Sequence, residues 1–168
     1  NDISITASSG DIVVGTVNAG TTAGDVTLTA TAGAILDDAN DGTTDISGDV
    51  VTLSAATGIG ASAGAGSLDT AANSITAAVT GAGQINLNEA NAVTLASVST
   101  ANGSITITTG GTTVIGSVSS ATDADANDIS ITASSGDIVV GTVNAGTTAG
   151  DVTLTATAGA ILDDANDG

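Results

Sequence analysis

Two runs of aspartate and asparagine carry most of the chemistry that this sequence offers. The first, LDDANDGTTD, contains Asp37, Asp38, Asn40, Asp41 and Asp45. The second, DADAND, contains Asp123, Asp125, Asn127 and Asp128. Calcium binds about six to eight oxygen ligands from carboxylates, amides and carbonyls, and closely spaced Asp and Asn supply them. We predict a calcium site at each run, and the alternative interpretation is a solvated polar turn.

Neither run is an EF-hand loop. Positions 123, 125 and 127 fit the start of such a loop, but Asp128 stands where the loop requires glycine. The first run has its glycine at Gly42, but Ala39 occupies a ligand position.

The rest of the composition argues against catalysis. The chain has no Lys, Arg, His, Cys or aromatic residue, and Glu89 is its single glutamate. General acid–base catalysis near neutral pH usually rests on those missing groups or on a carboxylate pair in a shaped pocket. Paired carboxylates do hydrolyse glycosides, but such sites also need basic and aromatic groups to hold the sugar. We expect no enzyme, no catalytic residue and no organic cofactor.

The formal charge of −18 limits the partners of this chain. Binding to nucleic acid depends largely on Lys and Arg contacts with phosphates, and attraction to anionic membranes depends on the same residues. No run of about 18 apolar residues is present, so we also predict no membrane insertion. Uncompensated charge opposes compaction, which makes dissolved cations part of the expected structure.

A long exact repeat organises the chain. Residues 1–42 return unchanged at 127–168, which gives a period of 126 residues. We therefore expect residues 1–126 to be one full unit of a continuous array and residues 127–168 to be the first third of the next unit.

Within the unit, a shorter rhythm of alternating apolar and polar residues predicts β-strands. Such segments begin at Ile3, Val26, Val51, Ile75, Ile105 and Ile129, with Gly-rich connectors between them. Strands that recur with a short, nearly constant period are typical of solenoids. We predict an all-β parallel β-helix with about five or six coils per unit. A sixth, irregular coil at Val93–Thr94–Leu95 is the open alternative to five.

Stacking such coils predicts two outward features. Asp2, Asp25 and Asp49 precede successive strands, so their carboxylates would lie about 5 Å apart and would repel unless cations bridge or screen them. Serine and threonine would form outward rows, at Ser4, Thr6, Thr27, Thr29, Thr52, Ser54, Thr106 and Thr108. Such rows resemble ice-binding solenoids, although threonine also favours exposed strand positions in general.

The segments GDVTLTATAGAI, VTLSAATGIG and NGSITITTGG resemble repeats of giant bacterial exoproteins of the filamentous-haemagglutinin and large-adhesin kind. The resemblance implies a right-handed parallel β-helix, secretion across a Gram-negative envelope, and a role in adhesion or in a surface fibre. The coils predicted here are longer than is usual for that family.

We therefore predict a structural segment of an extracellular filament or surface fibre of a Gram-negative bacterium. Its partners would be other copies of itself, associated end to end or side by side, and its acidic turns would bind calcium. The alternative is a binding module, either an adhesin shaft that contacts glycans or cell surfaces, or an ice binder.

Overall fold

A computed structural model describes residues 1–39, 41–60 and 66–165, and every regular element in these ranges is a β-strand. The strands are β1 Ile3–Ala7, β2 Ile12–Val14, β3 Val17–Gly20, β4 Val26–Ala30, β5 Ala34–Asp37, β6 Ile46–Ala55, β7 Gly58–Ile59, β8 Leu68–Ala82, β9 Ile85–Glu89, β10 Val93–Asn102, β11 Ile105–Thr109, β12 Thr113–Ser120, β13 Ile129–Ala133, β14 Ile138–Asn144, β15 Val152–Ala156 and β16 Ile161–Asp163. These ranges contain no helix that could cross a membrane.

Strands from successive coils pair in parallel along three ladders. The first ladder passes through residues 3, 26, 51, 75, 95, 115, 140 and 163. The second passes through residues 12, 35, 59, 85, 105, 129 and 152. The third passes through residues 17, 46, 70, 89, 109, 133 and 156. From β9 onward the second and third ladders run through the same strands, β9, β11, β13 and β15. The chain is thus a parallel β-solenoid of about seven coils, and the predicted fold class is confirmed.

Alternating side chains explain why these segments form strands. In β4, Val26, Leu28 and Ala30 are buried, whereas Thr27 and Thr29 are half-buried on the outer face. The apolar side chains of successive coils form one continuous core, made of Val, Leu, Ile and Ala. Burying one Val, Leu or Ile side chain stabilises a fold by about 1.5–3 kcal/mol. Because one face of each strand is buried, a slip of one residue would turn its apolar side chains outward.

Glycine permits close contact between coils at the corners. A Cβ atom added to Gly33 would overlap the carbonyl group of Gly10 in the coil before it. Gly103 stands in the same relation to the carbonyl of Gly83. Backbone clashes cannot be relieved by a rotamer change, so these corners depend on the absence of a side chain.

The stacking register agrees with the sequence prediction in the first coils and departs from it later. Ile3, Val26, Val51 and Ile75 stack as expected. Ile105 and Ile129 do not continue that ladder, because they lie on the second ladder. Leu95 stacks on Ile75 instead, and a register shift follows this pair, between Leu95 and Ser97. The predicted stacking of Ile105 and Ile129 was wrong, and the alternative coil at Val93–Leu95 is the one observed.

The two identical 42-residue copies therefore lie on different sides of the coil. Ile3 belongs to the first ladder, but its counterpart Ile129 belongs to the second. Five steps of the first ladder lead from Ile3 to Ile115, and the sixth leads to Val140. In the sequence, Ile129 stands about midway between Ile115 and Val140. One repeat unit therefore covers about five and a half coils.

Strand pairing inside each copy is nevertheless the same. Ile3 pairs with Val26 as Ile129 pairs with Val152. The 42-residue sequence thus fixes which of its own strands pair. The number and length of the preceding coils set the side of the solenoid on which these strands lie.

Candidate functional site

Three carboxylates from two successive coils converge at one corner of the solenoid. Asp37 is the last residue of β5, Asp45 precedes β6, and Asp69 lies near the start of β8. One oxygen from each carboxylate lies within 4.8 Å of the other two. We call these three residues the acidic corner.

The acidic corner is largely shielded from water. The residues Asp45 and Asp69 are only 3% and 4% exposed. The backbone N–H of Asp69 donates to Oδ2 of Asp45 at 2.9 Å, and Nδ2 of Asn88 donates to Oδ1 of Asp69. Oδ2 of Asp37 is buried and accepts no hydrogen bond from the described residues. A buried oxygen without a hydrogen-bond donor destabilises a fold, so a cation or donor at this atom would be stabilising.

Burial and mutual repulsion disfavour the charged forms at this corner. Burial is the main cause that raises the pKa of Asp45 to about 6, and the negative charges of Asp37, Asp69 and Asp38 act in the same direction. The N–H bond from Asp69 opposes this shift. Burial also raises the pKa of Asp69, against a hydrogen bond from Asn88 that lowers it. The ionised forms of both side chains therefore carry a cost in free energy that a cation would offset.

The geometry and chemistry of the acidic corner fit calcium. Two oxygen ligands of one calcium ion, each about 2.4 Å from it, are separated by at most about 4.8 Å. All three carboxylates satisfy this limit, and Asp37 supplies an oxygen that has no hydrogen-bond donor among the described residues. A bound calcium ion would neutralise part of the buried charge. It would also link the coil of Asp37 and Asp45 to the coil of Asp69.

The structure places the other predicted residues of the first run differently. Asp38 and Asp41 are exposed, and Asn40 lies outside the described residues. Oδ1 of Asp41 accepts the N–H of Thr43 at 2.8 Å, and hydrogen bonds from Thr43 lower the pKa of Asp41. Sequence reasoning missed Asp69, which lies in the next coil. Its separation from Asp45 equals the length of one coil, and this spacing was the signal that would have identified it.

The second run forms hydrogen bonds within the fold. The carboxylate of Asp123 accepts bonds from the turn at residues 147–150. Nδ2 of Asn127, a buried residue, donates to the carbonyl of Thr122 at 2.7 Å. Oδ1 of Asp128 accepts the N–H of Asp151 at 2.9 Å, while Asp125 is exposed. The calcium prediction for this run stays a prediction, and the structure gives Asp123 other partners.

Aspartates at the corners serve as acceptors for the following coil. Oδ1 of Asp2 accepts the N–H of Asp25, and Oδ1 of Asp25 accepts the N–H of Val50. Asn73 follows Asp49 in this row and donates through Nδ2 to its Oδ1 at 2.8 Å. The row predicted to repel unless cations bridge or screen it is thus held partly by N–H donors, which a carboxylate binds more strongly than a neutral oxygen does.

Glu89 is a further buried carboxyl group, separate from the acidic corner. It is completely buried, and its Oε2 accepts bonds from Oγ1 of Thr70 at 2.7 Å and from the N–H of Ala72 at 3.0 Å. The N–H of Asn91 donates to Oε1 at 3.0 Å. Burial raises the pKa of Glu89, and these donors oppose the shift. The side chain ties β8 to β9 across neighbouring coils.

The outward threonine rows divide between two faces. Ser4, Thr27 and Thr52 stack on the first ladder. Thr106 instead stacks with Asn86 and Ser130 on the strands β9, β11 and β13. The predicted rows do not form one continuous face in the described coils, and the ice-binding alternative stays a prediction.

Comparisons with protein-family models, with curated proteins and with solved structures found no match to this chain. The fold and the acidic corner are therefore the basis for assigning a function.

Proposed function

We propose that the chain is a structural segment of an extracellular filament or surface fibre. The observation that carries this proposal is the parallel sheet that continues through about seven coils, so that backbone hydrogen bonds run along the axis of the solenoid. Such a rod resists extension because strands of neighbouring coils must separate together. The sheet also crosses the border between residues 126 and 127 without interruption, through the pairing of β12 with β14.

In this proposal, calcium at the acidic corner stiffens the rod. Three buried or half-buried carboxylates from adjacent coils repel one another without a cation and are joined by one when it binds. The residues that would hold calcium are Asp37, Asp45 and Asp69. Calcium is abundant outside cells, where a secreted filament would function.

Electron microscopy and sedimentation of the purified chain, with calcium and with EDTA, test the proposal. We expect rods that lengthen with protein concentration and show an axial spacing of about 4.8 Å. Compact monomers in both conditions would refute the filament role. Rods that are unaffected by EDTA would refute the calcium contribution alone.

Binding to a glycan array or to ice by monomeric protein would favour the alternative, a binding module. Because these assays do not depend on self-association, they separate the two functions.

A further inference from the structure

A row of hydroxyl groups follows the outer side of the first ladder. Thr52 stacks with Thr76, and the register shift in β10 places Ser97 next in the row. Ser117 follows in the next coil and stacks with Thr142. Ser97 and Thr142 are exposed, and the other three residues are half-buried.

A second row runs beside the first, two residues further along each strand. It consists of Ser54, Ala78, Ser99, Ser119 and Asn144. We call the two rows together the hydroxyl face. Among the described residues, none forms a hydrogen bond with a serine or threonine hydroxyl group of this face. These hydroxyl groups are therefore available to a partner.

The hydroxyl face carries no charge. The five strand segments that form it contain no acidic residue, although the chain has 18 acidic residues; these segments are residues 50–55, 74–79, 93–100, 113–120 and 138–144. Asp49 and Asp137 stand just outside the first and the last segment. Two copies of this acidic chain can therefore approach each other through the hydroxyl face at a low electrostatic cost.

We propose that the hydroxyl face is the surface through which two copies of this chain associate side by side, each presenting this face to the other. Both copies have the same axial repeat of about 4.8 Å per coil, so their hydroxyl rows stay matched over any number of coils. A glycan is the less favoured partner, because the chain has no aromatic or basic side chain to hold a sugar. The inference rests on the proposed filament role and names the face by which its rods associate.

The size of the hydroxyl face predicts weak association for a single chain. Five coils at about 4.8 Å each and five residues at about 3.4 Å each give about 400 Å² per partner. The pair would bury about 800 Å² in total, below the roughly 1,200–2,000 Å² of stable complexes. We therefore expect association to strengthen with the number of coils. It should also strengthen at about 150 mM salt, which screens the repulsion between the aspartates of the two copies.

Cross-linking of the full chain tests this proposal, because the chain has no cysteine of its own. Ser97→Cys places a thiol on the middle strand of the hydroxyl face, where it meets its counterpart whether the two copies run in the same or in opposite directions. Ala126→Cys, at an exposed position outside the strands, is the matched control. With a short bismaleimide and millimolar protein, we expect Ser97→Cys to form covalent dimers at least tenfold faster than Ala126→Cys.

A negative charge on the hydroxyl face should prevent this contact. In the Ser97→Cys chain, the further substitution Thr76→Asp should slow cross-linking to the rate of Ala126→Cys. Ala126→Asp adds the same charge away from the face and should leave the fast rate unchanged. Circular dichroism shows whether each variant is folded, and the comparison of the two cysteine chains does not depend on the aspartate variants.

Equal cross-linking rates for the two cysteine chains would overturn the proposal, and so would a fast rate that Thr76→Asp does not change in a folded chain. Binding of uncross-linked chains to ice or to an insoluble glycan, if Thr76→Asp abolishes it, would assign the face to that ligand instead. Electron microscopy separates this inference from the filament role. Cross-linked pairs that never lengthen into rods would retain the face and refute the filament, whereas rods without cross-linking at Ser97→Cys would retain the filament and refute the face.

Discussion

Removing the charge of Asp45 should stabilise the protein at neutral pH when no divalent cation is present. The pKa of Asp45 is about 6 in the fold, against an ordinary value of 3.8. The folded chain therefore holds the carboxyl proton of Asp45 more tightly than the unfolded chain does. The stability that this proton contributes is complete below pH 3.8 and is lost as pH rises through about 6. This difference in pKa corresponds to about 3 kcal/mol as an upper limit, since water around the exposed Asp38 screens part of the repulsion.

The variant Asp45→Asn isolates this effect, because an amide oxygen can still accept the N–H of Asp69. In EDTA at about pH 7.5 we expect its free energy of unfolding to exceed that of the unmodified chain by about 1–3 kcal/mol. At about pH 3.5 the two proteins should be nearly equal, because Asp45 is then protonated. Urea unfolding followed by circular dichroism measures both differences. The other titratable groups are the same in the two proteins, so their contributions cancel in the difference.

Asp163→Asn is the matched control, since Asp163 is exposed and its removal changes the net charge by the same amount. At a free calcium concentration about 100 times the dissociation constant, the free energy of unfolding of the unmodified chain should rise by about 2.7 kcal/mol, and that of Asp45→Asn by much less. The reasoning fails if Asp45→Asn is no more stable than the unmodified chain at neutral pH. It also fails if Asp163→Asn gives the same gain.

Three further substitutions and one control, Val13→Ala, test the fold, each by urea unfolding. Leu53→Ala, at a residue only 1% exposed, should lower the free energy of unfolding by about 2–5 kcal/mol, because it leaves a cavity. Val13→Ala, at a residue 60% exposed, should lower it by less than about 0.5 kcal/mol. Equal losses would contradict the assigned core. Thr70→Val removes a donor to the buried carboxylate of Glu89 and should cost about 1–3 kcal/mol at neutral pH, and an unchanged stability would contradict the assigned hydrogen bond. Gly33→Ala should destabilise the corner that it forms, because its Cβ would overlap the carbonyl of the preceding coil; full tolerance would contradict the stacking described.

The fold was predictable where coil lengths are regular. The nearly equal spacings between Ile3, Val26, Val51 and Ile75 identify the stacked partners directly. The prediction failed at Ile105 because alternation of apolar and polar residues reveals a buried face but not the side of the coil that bears it. Two shorter coils, from residue 75 to 95 and from 95 to 115, then changed the phase.

The acidic corner was predictable only in part. Asp37 and Asp45 are close in sequence and were predicted as ligands, whereas Asp69 reaches the same place through the stacking of coils. The prediction for Asp123 failed for the opposite reason. Its neighbours in sequence suggested a metal ligand, but its contacts are N–H and O–H donors one coil away, which local spacing does not reveal.

Because the two copies are offset by about half a coil, the effect of adding units depends on whether their number is odd or even. In a chain with more units of this length, each added unit would turn everything beyond it by about half a coil. Two added units would restore the original facing almost completely. Adding an odd number of units would therefore reverse which side the downstream surface presents, while adding an even number would change length alone.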